Sequence, residues 1–208
     1  MVRLLVATRN PHKAREFREI LGLDFELIDL SAYPEIPETA ETGKTFAENA
    51  ILKAVAASKN APGVVIGDDS GLEVDLLNGE PGIFSARYAD PNATDEKNVE
   101  KLLGNLATVA DTGAPRTARF RCVIALTREG KLIDTFEGII EGTVVESPRG
   151  SNGFGYDPIF LPNGFAETLA ELPIETKNRI SHRARAAHKL VRHLTHEAGE
   201  RCNIYRGG

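Results

Sequence analysis

The stretch Val64-Val65-Ile66-Gly67-Asp68-Asp69-Ser70-Gly71-Leu72-Glu73-Val74 runs three β-branched residues into two adjacent acids and then turns apolar again. Val64 to Ile66 reads as a buried strand, and Leu72 to Leu76 as a second extended segment. Two neighbouring carboxylates at a strand end are unfavourable unless a cation joins them or one stays protonated. Gly67 and Gly71 leave room for a ligand or a backbone to approach. The expectation is a metal-holding corner at a strand end. On an extended chain successive side chains point to opposite faces, so only one of the two acids can face a cleft.

Upstream, Leu4 to Ala7 reads as a first buried strand. Asn10 suits an N-cap and Pro11 the first helical position. Ala14, Phe17, Ile20 and Leu21 follow at helical spacing, and Gly22 closes the helix. Arg9, His12 and Lys13 crowd the helix start, where the dipole favours acids. Three unpaired bases beside free backbone N–H donors point to a bound phosphate; solvated surface charges are the plainer alternative. Phe25 to Leu30 reads as a second strand, and Ser31 to Lys44 as a polar loop carrying Glu41. Gly43-Lys44-Thr45 resembles the tail of a Walker A loop. Position 38 is Glu where that motif needs glycine, and no strand leads in, so the motif is rejected. Thr45 with Glu48 instead forms a capping box for a helix from Phe46 to Asn60. Lys53 lies near the small-residue face of that helix, where snorkelling to solvent would explain it.

Downstream, Gly79 to Tyr88 reads as a structured loop and Thr94 to Leu106 as a helix. Ala107 to Thr117 is a polar connection. Ala118 to Leu126, Leu132 to Ile140 and Gly142 to Val145 alternate like antiparallel strands, with a turn at Glu129-Gly130. Helix–strand alternation followed by a hairpin run indicates an α/β fold with a mixed sheet. Pro148 to Pro158 is glycine-rich. There Phe154 and Tyr156 suit stacking on a planar ring, Gly155 frees the backbone, and Asp157 suits accepting from ring N–H groups. Ile159 to Leu161 resumes a strand. Ser181 caps the last helix, and His182, Arg183 and Arg185 repeat the pattern of bases in a first turn, with Lys177 in the segment leading to it. His193 and His196 lack metal-ligand spacing. The tail from Gly199 reads as loosely ordered.

The 208 residues suffice for one domain, here residues 1–208, open to division into two lobes by a cleft. Hydrophobic content of 41% and charged content of 26% are ordinary for a globular protein. A net charge of −5 argues against a general nucleic-acid surface. The N-terminus is too soon polar for a signal peptide, and no apolar run is long enough to span a bilayer. Cys122 and Cys202 have no metal-ligand spacing and read as inert thiols. A cytoplasmic protein is expected.

Bases at two helix starts, two strand-end acids and Glu41, without metal-binding His or Cys, fit Mg²⁺ and a polyphosphate. The simplest ligand is a nucleoside triphosphate. At this point the chain resembles the inosine/xanthosine triphosphate pyrophosphatase family. The matching stretches are Thr8-Arg9-Asn10 with Lys13, Glu41-Thr42-Gly43 with Thr45-Phe46 and Glu48-Asn49-Ala50, and Lys53-Ala54. They continue with Asp68 to Leu72, Pro81-Gly82 with Ser85 to Tyr88, Phe154 to Pro158, and Ser181-His182-Arg183.

The resemblance implies an elongated, twisted mixed sheet flanked by helices, in two lobes with a central substrate cleft, and a homodimer. It implies Mg²⁺-dependent cleavage of ITP, dITP or XTP to the monophosphate and pyrophosphate; net charge and hydropathy add the expectation of no nucleic acid or membrane partner. Thr8, Arg9, Asn10, Pro11, His12 and Lys13 would grip phosphates, and Lys53 would assist. Glu41 and Asp69 would hold the metal. Asp69 would also act as general base, supported by Asp68, and Ser70 would touch substrate. Phe154, Gly155, Tyr156, Asp157, Lys177, His182 and Arg183 would form the nucleobase pocket. The family usually has a small residue where this chain has Arg9. A nucleotide-binding regulator without turnover is the alternative from another class, and the acidic cluster argues against it. An aspartyl-nucleophile phosphohydrolase usually wants Asp-x-Asp, which adjacent Asp68 and Asp69 do not supply.

Overall fold

The computed structural model describes residues 2–109 and 114–204. Its strands are β1 (Val2–Val6), β2 (Phe25–Asp29), β3 (Val64–Val74), β4 (Thr117–Arg128), β5 (Lys131–Val144) and β6 (Phe160–Pro162). Its helices are α1 (Pro11–Leu21), α2 (Phe46–Ser58), α3 (Asp95–Val109), α4 (Ile174–Ile180) and α5 (His182–Ile204). The strands form one sheet in the order β2-β1-β3-β4-β5-β6. β1 is parallel to β2 and β3, and the remaining pairs are antiparallel. The mixed sheet flanked by helices is the expected fold class. With 14 residues in β5, the sheet is elongated along its strands.

Local chemistry fixes the element ends. The Asn10 side chain accepts from the backbone N–H of His12 and Lys13, at 2.9 and 3.3 Å, and Pro11 starts α1. Thr45 Oγ1 accepts from Glu48 N–H at 3.1 Å. The return bond of the capping box is shifted by one residue: Glu48 accepts from Lys44 N–H at 2.6 Å. Glu129 and Gly130 both adopt positive φ, as the tight turn between β4 and β5 requires.

The central strand differs from expectation. Asp68 and Asp69 lie in the middle of β3, which pairs continuously with β4 from Val64 to Val74. Cross-strand pairing overrides the weak strand preference of Gly and Asp. A strand does end there, but it is β1. Its register reaches only Ile66, and the last bond on that side runs from Ala7 N–H to Ile66 C=O at 2.7 Å. Beyond Ile66 the β1 side of β3 is open to side chains from loops and helices.

Packing on the two faces of β3 then places the acids. On one face Ile66, Cys122, Ile124 and Leu126 meet Phe17 and Leu21 of α1 and Ala187 and Leu190 of α5. Further along that face Leu72, Val74 and Phe120 meet Val99, Leu102 and Leu106 of α3 and Phe160 of β6. Asp68 and Ser70 occupy the interval between these two clusters. On the opposite face Phe46, Ala50 and Ala54 of α2 pack on Val123 and Ala125. A Cβ on Gly67 would lie 2.7 Å from both Ala50 C=O and Ala54 N. Gly67 therefore admits the α2 backbone, and Gly71 admits the Gly82 C=O and Ser85; neither makes room for a ligand. Likewise Gly138 lets the start of α5 sit on β5, since a Cβ there would lie 2.1 Å from His182 C=O.

A short helix, α4, precedes the last one, where the sequence pattern indicates only a lead-in to Ser181. α5 remains helical to Ile204, so the expected loose tail from Gly199 is helical that far; residues 205–208 lie outside the described residues. The connection from Ala107 begins as helix to Val109, and residues 110–113 of it also lie outside them. Among the described residues no helix is long and apolar enough to cross a membrane.

Candidate functional site

On the α1/α5 face of β3 buried charges alternate in a chain. Lys13 pairs with Asp68 at 2.9 Å, and Asp68 lies 3.6 Å from Arg183. Arg183 donates to Glu16 and, at 2.9 Å, to Ser70 Oγ. Lys177 donates to Glu16 and to Asp157, each at 2.6 Å. The bases Lys13, Lys177 and Arg183, expected to be unpaired, are thus internally neutralised. Their acids come from β3, from the inward side of α1 and from the glycine-rich loop.

Burial alone would raise the Asp68 carboxyl, but Lys13, then Arg183 and Lys53, hold it well below the usual carboxylate range. Glu16 is likewise lowered, its burial outweighed by Arg183 and Lys177. Asp157 goes the other way: burial raises it despite Lys177. Burial, reinforced by Arg183 and Lys177, drives His182 well below its ordinary value, so its imidazole is neutral at pH 7. That ring stacks on Phe120, with centroids 4.7 Å apart. Among the described residues its Nδ1 has no hydrogen-bond partner.

The glycine-rich loop closes over these groups. The Phe154 ring stacks with His12 at 5.3 Å, and Lys177 and Arg183 lie 5.3 and 5.7 Å from its centroid. Tyr156 departs from the expected stacking role. It is buried, and its hydroxyl donates to Ser85 C=O at 2.9 Å, tying the loop to residues 82–87. Gly155 N–H donates to Asp95 at 2.7 Å.

On the α2 face Asp69 accepts from Asn49 Nδ2 and Lys53 Nζ, both at 3.1 Å. Lys53 also donates to Glu41 at 2.8 Å, and Glu41 pairs with Arg87 at 2.6 Å. Lys53 is therefore paired, not merely solvated. Burial raises the Asp69 carboxyl, Lys53 and Lys13 offset this in part, and Glu41 adds to it. Glu41 is lowered, because Lys53 and Arg87 outweigh its burial. Two carboxylates converging on one ammonium mark a place suited to a cation. Among the described residues no group of three or more His, Cys, Asp and Glu converges on a metal position. Glu41 and Asp69 fit an ion such as Mg²⁺, which takes one or two carboxylates and completes its shell from water and phosphate.

A pocket of about 130 Å³ is lined by Asp69, Ser70, Phe154, Asp157, Lys177 and His182, among others. An open groove of about 730 Å³ is lined by Thr8, Arg9, Asn10, Lys13, Glu41 and Lys53, among others. The two share Asn10, Lys13, Glu41, Ala86 and Arg87 as walls. The backbone donors that α1 was expected to offer at His12 and Lys13 are capped by Asn10. Sequence reasoning missed Glu16 entirely, although a carboxylate beside Phe17 and three residues after Lys13 sits on the apolar side of α1. Asn49 and Arg87 fell within the matching stretches without an assigned role.

An α/β protein with carboxylates and cations lining an interior cleft at the end of a parallel strand belongs to the class that binds small charged ligands. The chain belongs to the Ham1 family, whose model matches residues 4–193. It is 50% identical over 195 residues to a protein of Geobacter sulfurreducens named dITP/XTP pyrophosphatase, covering 93% of this chain and 97% of the relative. The Bacillus subtilis protein of the same name is 47% identical over 197 residues, covering 93% and 98%. A solved HAM1 protein from Coxiella burnetii superposes with a TM-score of 0.84 at 42% identity, covering 94% of this chain and 100% of that one.

Proposed function

We propose that this chain hydrolyses dITP, XTP and ITP to the nucleoside monophosphate and pyrophosphate. The observation that carries this reading is that adjacent Asp68 and Asp69 face opposite sides of β3 and meet different partners. Asp68 is neutralised within the charge chain on one face of β3, while Asp69 on the other face shares Lys53 with Glu41; Asp69 and Glu41 line the ring-sized pocket, and Glu41 and Lys53 the groove. The relatives named dITP/XTP pyrophosphatase, similar along nearly their whole length, support it.

In this reading Glu41 and Asp69 hold Mg²⁺. The bound ion would neutralise charge on phosphate oxygens. Asp69 takes a proton from the attacking water, a role worth about 10²–10⁴-fold. Water oxygen bonds to one phosphorus of the α–β bridge, the P–O bond from that phosphorus to the bridging oxygen breaks, and the bridging oxygen departs with the other phosphorus, giving monophosphate and pyrophosphate. Lys13 and Lys53 meet the phosphates, Thr8 and Asn10 line their groove, Pro11 and His12 open the helix beside it with His12 stacked on Phe154, and Asp68 aims Lys13. Phe154, Gly155, Asp157, Lys177, His182 and Arg183 enclose the base, and Ser70 touches substrate.

A 6-oxo purine offers an acceptor at C6 and a donor at N1; adenine offers the reverse. Cationic donors at Lys177 and Arg183 suit the oxo form. Adenine would leave buried polar groups unpaired, at about 1–3 kcal/mol each. Guanine shares O6 and N1–H, so its rejection rests on the 2-position. The chain acts as one domain of two lobes, as a homodimer on the cytoplasmic nucleotide pool. The test is product analysis with dITP and Mg²⁺, expected to give dIMP and pyrophosphate. The diphosphate plus phosphate would refute the bond assignment, and binding without turnover would favour a regulator.

A further inference from the structure

Arg9 stands at the head of the groove, yet its guanidinium is turned to the protein's own backbone. Nη1 donates to Leu30 C=O at 3.3 Å and Nη2 to Ile36 C=O at 2.5 Å. Both carbonyls belong to the segment that leads from β2 to Glu41. We propose that Arg9 is a positioning residue that clasps this segment and so sets where Glu41 stands.

The segment has two anchors that bracket Glu41. Downstream, Asn49 Oδ1 accepts from Gly43 N–H at 2.9 Å while its Nδ2 holds Asp69. Upstream, Leu30 N–H donates to Thr8 C=O at 3.2 Å, and Ile36 is buried against Leu5, Ala7 and Ala57. Two internal turns join these points: Tyr33 N–H donates to Leu30 C=O, and Ile36 N–H to Tyr33 C=O, at 3.2 and 3.1 Å. Arg9 bonds the carbonyls at both ends of that double turn. A planar fork can bond the carbonyls at both ends of the double turn at once, whereas a lysine ammonium is a point donor. Four residues separate Ile36 from Glu41, so slack at Ile36 passes directly to the carboxylate that meets Lys53 and Arg87.

The clasp and a phosphate grip make opposite predictions for Arg9→Ala and Arg9→Lys. Amide hydrogen exchange on the apoprotein reads the segment without any ligand. The clasp predicts that Tyr33 and Ile36 amides exchange about tenfold faster in both variants, since charge-assisted bonds are lost and Lys restores charge but not the fork. Mn²⁺ binding to the apoprotein should weaken about tenfold, while KM for dITP at saturating Mg²⁺ stays unchanged. This metal arm rests on the proposed role of Glu41; the exchange arm does not. Wild-type exchange rates in both variants would overturn the clasp. A raised KM for dITP restored by Arg9→Lys would overturn it in favour of a phosphate contact. Faster exchange with unchanged Mn²⁺ binding would uphold the clasp and refute Glu41 as a metal ligand.

Discussion

Replacing Glu16 with Gln tests the buried charge chain. Three carboxylates, on Asp68, Glu16 and Asp157, alternate with three cations, on Lys13, Arg183 and Lys177. The substitution leaves one uncompensated positive charge. Lys177 keeps Asp157 at 2.6 Å, but Arg183 keeps only Asp68, at 3.6 Å. The deficit therefore falls on Arg183, whose side chain is only 2% exposed. Removing one partner of a buried pair costs about 3–5 kcal/mol. Gln retains one acceptor oxygen, so the lower end, about 3 kcal/mol, is expected. With a urea slope of about 2 kcal/mol per M, the midpoint should fall by about 1.5 M at unchanged slope. Urea unfolding at pH 7.5, followed by far-UV circular dichroism, gives the number. A shift below about 0.5 M, the range of an exposed pair, would refute the claim that this chain of charges is buried and mutually dependent.

Asp69→Asn should lower kcat by about 10²–10⁴-fold while the triphosphate still binds, as judged by steady-state kinetics and equilibrium binding; near-normal kcat would exclude it as the base. Acid should destabilise the fold from about pH 6.5 downward. His182 is held well below 6.5 when folded, so the unfolded chain binds the extra proton and stability falls by up to about 1.4 kcal/mol per pH unit. Glu16 and Asp68, both lowered, add the same sign as pH falls through their folded values, while the raised Asp69 and Asp157 oppose it from their raised values down to 3.8. His182→Gln should flatten the limb just below pH 6.5 in urea titrations; an unchanged limb would contradict a buried neutral imidazole. Gly67→Ala should destabilise by about 1–3 kcal/mol in thermal melts and lower kcat, because the new Cβ displaces the helix carrying Asn49 and Lys53.

The elements set by local chemistry were legible. Asn10-Pro11 starts α1, Thr45 starts α2, and Glu129-Gly130 turns the hairpin; each depends on neighbours within a few residues. What was not legible depends on distant partners. Gly67-Asp68-Asp69-Ser70-Gly71 looks like a break between strands, because only the whole of β4 alongside makes it continuous. Lys13, Lys177 and Arg183 looked unpaired because their acids lie far off in sequence: Glu16 is 161 positions from Lys177 and 167 from Arg183. Tyr156 shares its loop with Phe154, yet Ser85, 71 positions away, claims its hydroxyl. The opposite orientation of the two aspartates was legible, since it needs only the alternation of an extended strand.

In the proposed reading, the pocket closed by the glycine-rich loop selects the purine whose triphosphate is cut at Glu41 and Asp69, which line the same pocket. Initial rates for dITP, XTP and dATP with Mg²⁺, products resolved by ³¹P NMR, test it most directly. The account predicts monophosphate and pyrophosphate as products, with kcat/KM for dITP and XTP at least about tenfold above dATP, as one or two unpaired buried groups would give. Equal kcat/KM for the three, or release of single phosphates, would contradict it.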